Sequence, residues 1–393
     1  MKKVAVVGAG ITGLCSAYYL ARQGHKVTVF EAERYAGMKT SFANGGQISV
    51  SNSETWTTWS NIKKAFKWMF QKDAPLKFRF RLDWAMWRWV VKFLWATVTN
   101  RYISNTVETV KLGLESRRLY DQICSEEQIS SFDRSNCGIV HFYKTPSYWQ
   151  NAQEVSELYN GNGCKWKLLR DAEKVKALDP SLNDIQGIIG GTWTPDDWTG
   201  DIHKFCYSLA EILETKYQVK FHYEYHVDSI KDIAWFDAVV VANGVGSRKL
   251  AASVGDTIDV YPVKGYSVTI NNVDPEHLPR VSLLDDEAKI VTSSLGNRFR
   301  VAGTAELVGE NYDITRDRID PLLKWIHTNF PKINTHDYTQ YACLRPMTPD
   351  MMPIIKQSDK NSKVFYNTGH GHLGWTLGPV TGRRVADLVR GQI

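Results

Sequence analysis

A glycine-spaced turn that joins a short apolar run to a helical pattern constrains this chain more than any other feature. Residues 3–7 form a run rich in valine, and Gly8-x-Gly10-x-x-Gly13 follows it directly. Apolar residues then recur at helical spacing until Gly24, and residues 26–30 form a second short strand pattern that Glu31 closes. This succession of strand, tight turn, helix and strand predicts a β-α-β unit.

Each part of that unit has a task in binding a dinucleotide. Gly8 suits the tight turn, Gly10 lets the backbone approach a pyrophosphate, and Gly13 lets helix and strand pack closely. The helix N-terminus offers free N–H groups to the phosphates. Glu31 can accept hydrogen bonds from ribose hydroxyls and repels the 2′-phosphate of NADP, but the motif by itself does not separate FAD from NAD. The predicted contacts are Val7, Gly8, Ala9, Gly10, Ile11, Thr12, Gly13 and Glu31.

Length and composition narrow the class of protein. The chain has 393 residues, which favours two domains, and its 43% hydrophobic and 23% charged residues are typical of a globular protein. A net charge of +6 predicts no nucleic-acid partner. The six cysteines form no C-x-x-C pair and no zinc spacing, so we expect reduced thiols and no metal site. No stretch approaches the roughly 18 apolar residues of a membrane-spanning helix, and we expect a chain that is neither exported nor membrane-spanning.

Five further stretches carry a resemblance to a known family. They are residues 40–49 (TSFANGGQIS), 65–76 (AFKWMFQKDAPL), 261–267 (YPVKGYS), 344–350 (LRPMTPD) and 367–376 (NTGHGHLGWT). With these motifs in this order, the chain resembles the D-amino-acid oxidase superfamily, and most closely its bacterial D-amino-acid dehydrogenases. The resemblance covers nearly the whole chain and implies FAD as the cofactor.

The resemblance also implies which further residues touch the cofactor. The polar, glycine-rich loop at 40–49 would lie against the flavin, residues 227–244 would pass beside the adenine and the cofactor through their backbone, and the glycine-rich loop before the last helix would meet the flavin pyrimidine. Without the family, these segments are only a loop, a core strand and a helix start. The implied contacts are Thr40, Ser41, Asn44, Gly45, Gly46, Gln47, Val227, Ala242, Gly244, Gly371, Leu373, Gly374, Trp375 and Thr376.

The expected chemistry is oxidative deamination of a D-amino acid. By resemblance, Arg345 would anchor the substrate carboxylate, for which a guanidinium is the best planar partner, and Tyr266 would line the substrate pocket. The Cα hydrogen would pass as hydride to flavin N5, and water would convert the imino acid to a 2-oxo acid and ammonia. From the residues alone, Arg345 could instead pair with Asp350, and Tyr266 could be an ordinary strand tyrosine. His370 and His372 are expected only as polar lining near the flavin.

One departure from the dehydrogenase pattern leaves a second function open. Cys343 stands two residues before Arg345, where the dehydrogenases usually carry glycine. The stretch is similar there to monomeric sarcosine oxidases, whose cysteine at this place attaches to the flavin. The alternative is therefore an oxygen-using oxidase of sarcosine, another secondary amine or glycine, with FAD attached to Cys343. A non-catalytic flavin-binding protein is a third reading, and Arg345 and Tyr266 argue against it.

A basic, tryptophan-rich stretch between residues 61 and 101 predicts contact with a membrane. It carries ten basic and two acidic residues. Residues 84–98 form an almost wholly apolar helical pattern with one basic stripe, Arg88 and Lys92, a composition typical of helices that lie in a membrane interface. The alternative is a helix whose tryptophans are buried in the protein. We expect peripheral contact with anionic lipid on the cytoplasmic side of the bacterial inner membrane, or else a cytoplasmic protein, and a membrane quinone as electron acceptor.

The expected fold class is α/β, with a Rossmann-type FAD-binding domain interleaved with an α+β substrate domain built on a mixed or antiparallel sheet. The FAD-binding domain is assigned residues 1–83, 166–262 and 336–393. The substrate-binding domain is assigned residues 84–165 and 263–335. The sequence contains no linker that marks these boundaries, and it leaves the oligomeric state open.

Overall fold

The computed structural model describes residues 1–68 and 76–391, so that residues 69–75 of the 65–76 motif lie outside the described part. The strands, in chain order, are β1 (Lys3–Val7), β2 (Lys26–Phe30), β3 (Gln47–Ile48), β4 (Leu76–Phe78), β5 (Ile139–Tyr143), β6 (Lys167–Leu169), β7 (Gly190–Thr194), β8 (Trp198–Thr199), β9 (Lys220–His222), β10 (Ala238–Val241), β11 (Tyr261–Ile270), β12 (Ser282–Asp285), β13 (Ile290–Leu295), β14 (Arg298–Leu307), β15 (Tyr338–Met347), β16 (Ile354–Gln357) and β17 (Val364–Thr368).

The helices pack on both faces of one sheet and on a face of the other. They are α1 (Ile11–Arg22), α2 (Trp59–Trp68), α3 (Trp84–Val98), α4 (Tyr102–Glu127), α5 (Pro146–Gly161), α6 (Ala172–Lys176), α7 (Ile202–Thr215), α8 (Ser247–Ser253), α9 (Arg316–Asn329) and α10 (Gly374–Arg390). Helix α3 has the bounds predicted from its apolar pattern. Its N-terminus is capped by Asp83, whose carboxylate accepts the N–H groups of Ala85 and Met86.

A six-stranded sheet holds the predicted β-α-β unit. Its order is β16-β17-β10-β1-β2-β9, and every pair is parallel except β16 with β17. The central strand β1 is buried because α1 and α10 cover one face while another apolar cluster covers the other. The carboxyl ends of β1, β2 and β10 therefore meet at one edge, which brings Gly8, Glu31 and Ala242 together.

A nine-stranded mixed sheet forms the other layer. Its order is β15-β11-β14-β13-β12-β5-β7-β6, with β4 attached to β14. Most pairs are antiparallel, and β5–β12 and β4–β14 are parallel. The expected fold class, a Rossmann-type α/β unit combined with a mixed sheet, is confirmed.

The strand pairings differ in places from the expected domain boundaries. Strands β4, β6, β7 and β15 belong to the nine-stranded sheet, although they fall in the ranges assigned to the FAD-binding domain. The physical reason is clearest for β15, which pairs with β11 along ten residues and so carries Arg345 in the second sheet. The division into two domains itself stays a prediction.

Candidate active site

A cavity of about 1120 Å³ lies between the carboxyl edge of the six-stranded sheet and one face of the nine-stranded sheet. Of the residues predicted to bind cofactor or substrate, all but Ala9 and Gly13 contribute to its lining. The two walls of the cavity, one on each sheet, are built differently.

The glycine turn after β1 has the geometry that the sequence predicts. Gly8 has a φ of +102°, and a Cβ there would lie 2.8 Å from the carbonyl oxygen of Ala242. A Cβ on Gly13 would lie 1.9 Å from the carbonyl oxygen of Gly8. Gly13 therefore acts by close packing behind the turn. The N–H of Ile11, at the start of α1, donates to Ser41 Oγ at 3.2 Å. The other main-chain N–H groups of the first helical turn point out of the helix N-terminus, as a phosphate site requires.

Glu31 is held in place at the end of β2. Its carboxylate accepts the N–H of Ala9 at 2.6 Å and the N–H of Glu33 at 3.0 Å. Burial raises the pKa of Glu31 above its ordinary value, and the two N–H donors offset this only in part. Ala9 thus serves the site by fixing Glu31. The contact of Glu31 with a ribose stays a prediction.

The loop that contains residues 40–47 is attached to the second sheet. Thr40 Oγ1 donates to the carbonyl oxygen of Leu344 at 2.9 Å, and Gln47 Nε2 donates to Ser282 Oγ at 2.7 Å. Asn44 Oδ1 accepts the N–H of Gly46 at 2.9 Å. Because these side chains are engaged within the protein, the loop presents mainly its backbone to the cavity.

Two backbone segments predicted to pass beside the cofactor also border the cavity. Val227 is buried, and the N–H of Ala242 donates to the carbonyl oxygen of Val7 at 2.9 Å. Gly244 has a φ of +59°, and its carbonyl oxygen accepts the hydroxyl of Thr368 at 3.2 Å. A contact with the cofactor here is available through the main chain, as expected.

The loop before α10 brings a helix N-terminus to the cavity. Gly371 has a φ of +56°, and a Cβ there would lie 2.6 Å from Met347 Sδ. Helix α10 begins at Gly374, while the ring of Trp375 is buried in the first core and Thr376 Oγ1 accepts the N–H of Ser49 at 3.2 Å. Leu373 is also buried. The loop therefore offers main-chain N–H groups, which favour an anionic ligand, and its contact with the flavin pyrimidine stays a prediction.

The two histidines of this loop are neutral at physiological pH. His370 hydrogen-bonds Thr381 Oγ1 at 3.0 Å, and burial lowers its pKa to about 3. His372 donates from Nε2 to the carbonyl oxygen of Asn52 at 3.1 Å and stacks on Trp56 with ring centroids 5.2 Å apart. Burial lowers the pKa of His372 to about 4, and the charges of Arg345 and Lys289 contribute while Asn52 opposes the shift.

Arg345 lies on β15 and lines the cavity. Its Nη1 donates to the carbonyl oxygen of Thr304 at 3.0 Å. Within residues 1–68 and 76–391 it forms no ion pair, and the Asp350 carboxylate instead accepts the N–H of Met352. The cation therefore stays available to an anionic ligand. Cys343, two residues earlier on the same strand face, also lines the cavity, and burial raises the pKa of its thiol despite the nearby Arg345.

Tyr266 lines the cavity, as the sequence analysis expects, and its role towards the substrate stays a prediction. Its side chain lies on the opposite face of β11 from Gly265, within the core under α9. Its hydroxyl donates to Glu306 Oε2 at 2.7 Å, and Glu306 also accepts from Arg318 at 3.0 Å. Successive side chains of a strand point to opposite faces, so a residue next to Gly265 on the cavity face points away from the cavity.

The structure adds polar residues to the cavity that the sequence analysis did not nominate. Asp286 accepts from Lys289 at 3.4 Å and hydrogen-bonds His141 Nδ1 at 3.0 Å, and His141 Nε2 hydrogen-bonds Ser51 Oγ at 3.2 Å. Burial raises the pKa of Asp286, but Lys289, His141 and Tyr143 together hold it well below its ordinary range. These residues lie on β5, a hairpin turn and a loop, and no motif joins them in the sequence.

A carboxyl–phenol pair lies near this group. Tyr102, at the start of α4, donates to Glu54 Oε1 at 2.9 Å. Burial raises the pKa of Glu54, which the Tyr102 hydroxyl and the charge of Lys289 partly offset. Glu54 and Tyr102 both line the cavity. No motif in the sequence indicates that Glu54 and Tyr102 line the cavity.

The residues of the first wall fit FAD. The glycine turn leaves the space beside β1 free of side chains, α1 and α10 direct their N-termini at the cavity, and Glu31 stands at the end of β2. A cavity of about 1120 Å³ exceeds the usual range for sites that hold one small ligand. It therefore has room for a dinucleotide beside a small substrate.

Comparison with known proteins agrees with this geometry. Residues 3–388 match the DAO family, described as FAD dependent oxidoreductase. The chain is 43% identical to D-amino acid dehydrogenase 3 of Mesorhizobium japonicum, over 99% of this chain and 97% of that protein. It is 38% identical to the D-amino acid dehydrogenase of Paramagnetospirillum magneticum, over 99% and 95%.

Solved structures share the fold at low sequence identity. Glycine oxidase from Geobacillus kaustophilus superposes with a TM-score of 0.77 at 20% identity, covering 100% of this chain and 96% of that one. L-proline dehydrogenase from P. horikoshii superposes with a TM-score of 0.76 at 17% identity, covering 100% and 94%. With the family match over nearly its whole length, the chain belongs to the DAO family of FAD-dependent oxidoreductases.

Proposed function

We propose that this chain oxidises D-amino acids to 2-oxo acids and ammonia. The observation that carries the proposal is the guanidinium of Arg345, which forms no ion pair among residues 1–68 and 76–391 and faces the same cavity as the loops that fit FAD. The names of the relatives at 43% and 38% identity support the substrate class. Bound FAD supplies the acceptor, at N5, for a hydride from the substrate Cα.

The residues of the chain would orient the substrate for that transfer. The substrate carboxylate binds Arg345 through charge-assisted hydrogen bonds, which places Cα beside the flavin loops. The amine reacts in its neutral form: as the Cα–H bond breaks, the nitrogen lone pair forms C=N, and one N–H proton leaves to water. Water then hydrolyses the imino acid. His372, neutral and stacked on Trp56, lines this space without adding a charge that would compete for the carboxylate.

Anaerobic bleaching of the flavin tests the proposal. We expect D-amino acids to bleach the flavin absorbance of the holoenzyme at about 450 nm. L-amino acids should leave this absorbance unchanged. An Arg345→Met variant should retain FAD and lose at least ~30-fold in kcat/KM, because truncating one partner of a close charge pair costs about 2–5 kcal/mol. If no D-amino acid bleaches the flavin, the substrate assignment is wrong and the FAD site still stands.

Cys343 keeps a second function testable. This residue lines the cavity two positions before Arg345. Attachment to the flavin therefore remains the alternative, with sarcosine, another secondary amine or glycine as substrate and oxygen as acceptor. Burial disfavours the thiolate that such attachment needs. We therefore expect acid-denatured protein to release all its flavin, and Cys343→Ala to bind FAD as the wild type does. Flavin that stays with the denatured chain, together with bleaching by sarcosine alone, would establish the alternative.

We further propose that the chain docks on anionic membranes through α3 and the segments around it. Trp84, Val91, Trp95 and Val98 are between 58% and 79% exposed and recur on one face of α3. Further exposed apolar side chains lie nearby in the sequence: Trp59, Phe66, Phe80, Leu82 and Ile103. Exposed apolar groups of this number mark an interaction surface. No helix in the described ranges 1–68 and 76–391 has the length and apolar character to cross a bilayer.

The predicted basic stripe of α3 is paired with a carboxylate of the protein itself. Arg88 Nε lies 2.7 Å from Asp259 Oδ1, and Lys92 binds the other oxygen of the same carboxylate. This pair fastens α3 to the protein and is not free for lipid. The cations left for lipid headgroups are exposed residues near α3 in the sequence, such as Lys63, Lys67 and Arg101. The buried Trp89, whose Nε1 donates to the carbonyl oxygen of Met347, shows that α3 also packs inward.

The cavity itself supports a lipid-soluble acceptor. Between α2, β4 and α3 its lining includes a group of apolar side chains: Ile62, Phe78, Trp87, Val90, Phe93 and Leu94. Leu94 is both a lining residue and 39% exposed, so the apolar part of the cavity adjoins the outer apolar face. An acceptor such as a membrane quinone would reach the cofactor by this side. We propose the cytoplasmic face of the bacterial inner membrane as the location, with a cytoplasmic protein as the alternative.

Vesicle flotation tests the membrane proposal. Holoenzyme should float with vesicles of equal phosphatidylglycerol and phosphatidylcholine at low salt and be released at high salt. The double variant Trp84→Ser/Trp95→Ser should reduce flotation at least tenfold. Trp235→Ser is the matched control, because Trp235 is 65% exposed elsewhere on the molecule. Equal flotation of both variants would exclude α3 as the docking surface.

A further inference from the structure

We infer that Gly265 and the main chain of Thr304 are positioning residues that orient the guanidinium of Arg345 for a planar carboxylate. The inference deepens the proposed function, because it concerns how the same site selects its anion. Neither residue carries chemistry of its own, and both act through Arg345.

The first observation is the space above Gly265. A Cβ built there would lie 2.4 Å from Arg345 Nη2 and 2.5 Å from both Cζ and Nη1. Nearly equal distances to three atoms place that point over the face of the guanidinium and not at its edge. The planar group therefore lies flat against β11 at Gly265. In the strand register Gly265 is opposite Cys343 and Val263 is opposite Arg345, so the contact is a diagonal one between neighbouring strands.

The second observation is the backbone of Thr304. Its carbonyl oxygen accepts the hydrogen bond of Arg345 Nη1 at 3.0 Å. Thr304 has a φ of +59°, a conformation that a β-branched residue rarely adopts. It lies in β14 where the register with β11 shifts between Lys264 and Tyr266. Its hydroxyl is buried and has no hydrogen-bond partner within the part of the chain that the structure describes. Strain of this kind persists where the surrounding structure requires it.

Together these contacts determine which edge of the guanidinium is free. One face is covered by Gly265, and Nη1 is directed at Thr304. The remaining in-plane N–H groups are left for a ligand in the cavity, which matches the fork geometry that binds a carboxylate through two parallel hydrogen bonds. Any side chain at position 265 would displace the guanidinium and rotate this fork away from the ligand.

Gly265→Ala tests the inference, with benzoate as the probe because it is a planar monocarboxylate, and its binding beside the flavin is followed by the change that we expect in flavin absorbance. We expect a variant that retains FAD and binds benzoate at least ~30-fold more weakly. For a D-amino acid, KM should rise by a similar factor while kcat changes less than ~5-fold. Gly161→Ala is the matched control, because a Cβ there has no heavy atom within 4 Å.

A double-variant cycle separates positioning from a general structural role. A lysine at 345 has a point charge and no planar face, so in the Arg345→Lys background the additional Gly265→Ala change should alter benzoate affinity less than ~3-fold. An equal loss in both backgrounds, or a loss of FAD and thermal stability without a change in benzoate affinity, would overturn the inference. If D-amino acids fail to bleach the flavin while benzoate affinity still follows Gly265, the proposed substrate is wrong and the orientation of Arg345 stands.

Discussion

The two walls of the cavity use the polypeptide in different ways. The wall on the six-stranded sheet offers mainly backbone: the glycine turn at 8–13, the strand end at Ala242 and the start of α10. The wall on the nine-stranded sheet offers side chains, of which Arg345 is the principal one, from one face of paired strands. The binding properties of the first wall depend on the path of the main chain. Those of the second wall depend on which face of the sheet each side chain occupies.

This difference explains why the two walls respond differently to change. A site built from the main chain requires that no Cβ is present at its glycines, so a larger residue there disrupts it. Substitution of most neighbouring side chains has little effect on such a site. A strand-face site changes its chemistry with a shift of one residue, since neighbours point to opposite faces. Tyr266 and Gly265 illustrate the point: one lies in the core and the other against Arg345.

The largest effect is expected in the first wall. Gly13→Ala places a Cβ 1.9 Å from the carbonyl oxygen of Gly8, so β1 and α1 must separate and the phosphate site is lost. We expect the purified protein to contain less than a tenth of the wild-type FAD, measured by absorbance. Gly24→Ala at the far end of α1 is the control, because a Cβ there has no heavy atom within 4 Å. Its φ of +81° costs some stability, but FAD should be retained.

Tyr266→Phe tests whether the second wall depends on strand face. The change removes the donor to Glu306 and should lower the free energy of unfolding by about 1.5–3 kcal/mol, the range for hydrogen bonds to charged groups. Because the hydroxyl faces away from the cavity, kcat/KM for D-amino acids should stay within twofold. Urea unfolding and steady-state kinetics on the same samples measure both. A hundredfold loss of kcat/KM at unchanged stability would mean that the hydroxyl of Tyr266 acts on the substrate.

The smallest effect is a change of stability with pH, and it concerns His372, between the two walls. The pKa of His372 is about 4 in the folded chain, below the ordinary value of 6.5, so the unfolded chain takes up the proton first as the pH falls. The stability present above pH 6.5 is therefore lost progressively towards pH 4, by about 2 kcal/mol between pH 7 and pH 5. Urea unfolding of His372→Gln at both pH values should show a loss smaller by that amount.

The exposed His226, with 62% of its side chain accessible, is the control for this experiment. His226→Gln should leave the pH dependence of unfolding as in the wild type. An unchanged pH dependence in His372→Gln would mean that His372 is accessible to protons in the folded state and that its neutral role in the site is wrong.

Much of the fold could be predicted from local patterns. The β-α-β unit at residues 3–30 and the helix Trp84–Val98 were predicted with nearly the bounds observed, because glycine spacing and hydrophobic periodicity are properties of neighbouring residues. The basic stripe on α3 was predicted from its spacing, but its pairing with Asp259, which is 171 residues from Arg88 in the sequence, was not. No local pattern indicates a partner so distant.

The sequence by itself determined the β-α-β unit, the dinucleotide turn and, through its motifs, the family of the chain, since each depends on residue types at short spacing. The tertiary structure alone decided the orientation of the second wall. It placed β15 beside β11, turned Arg345 towards the cavity and Tyr266 away from it, and brought the carbonyl of Thr304 and the bare backbone of Gly265 against the guanidinium. The physical reason is that strand register and bulges are set by pairing between distant segments, and a register shift of one residue exchanges the faces.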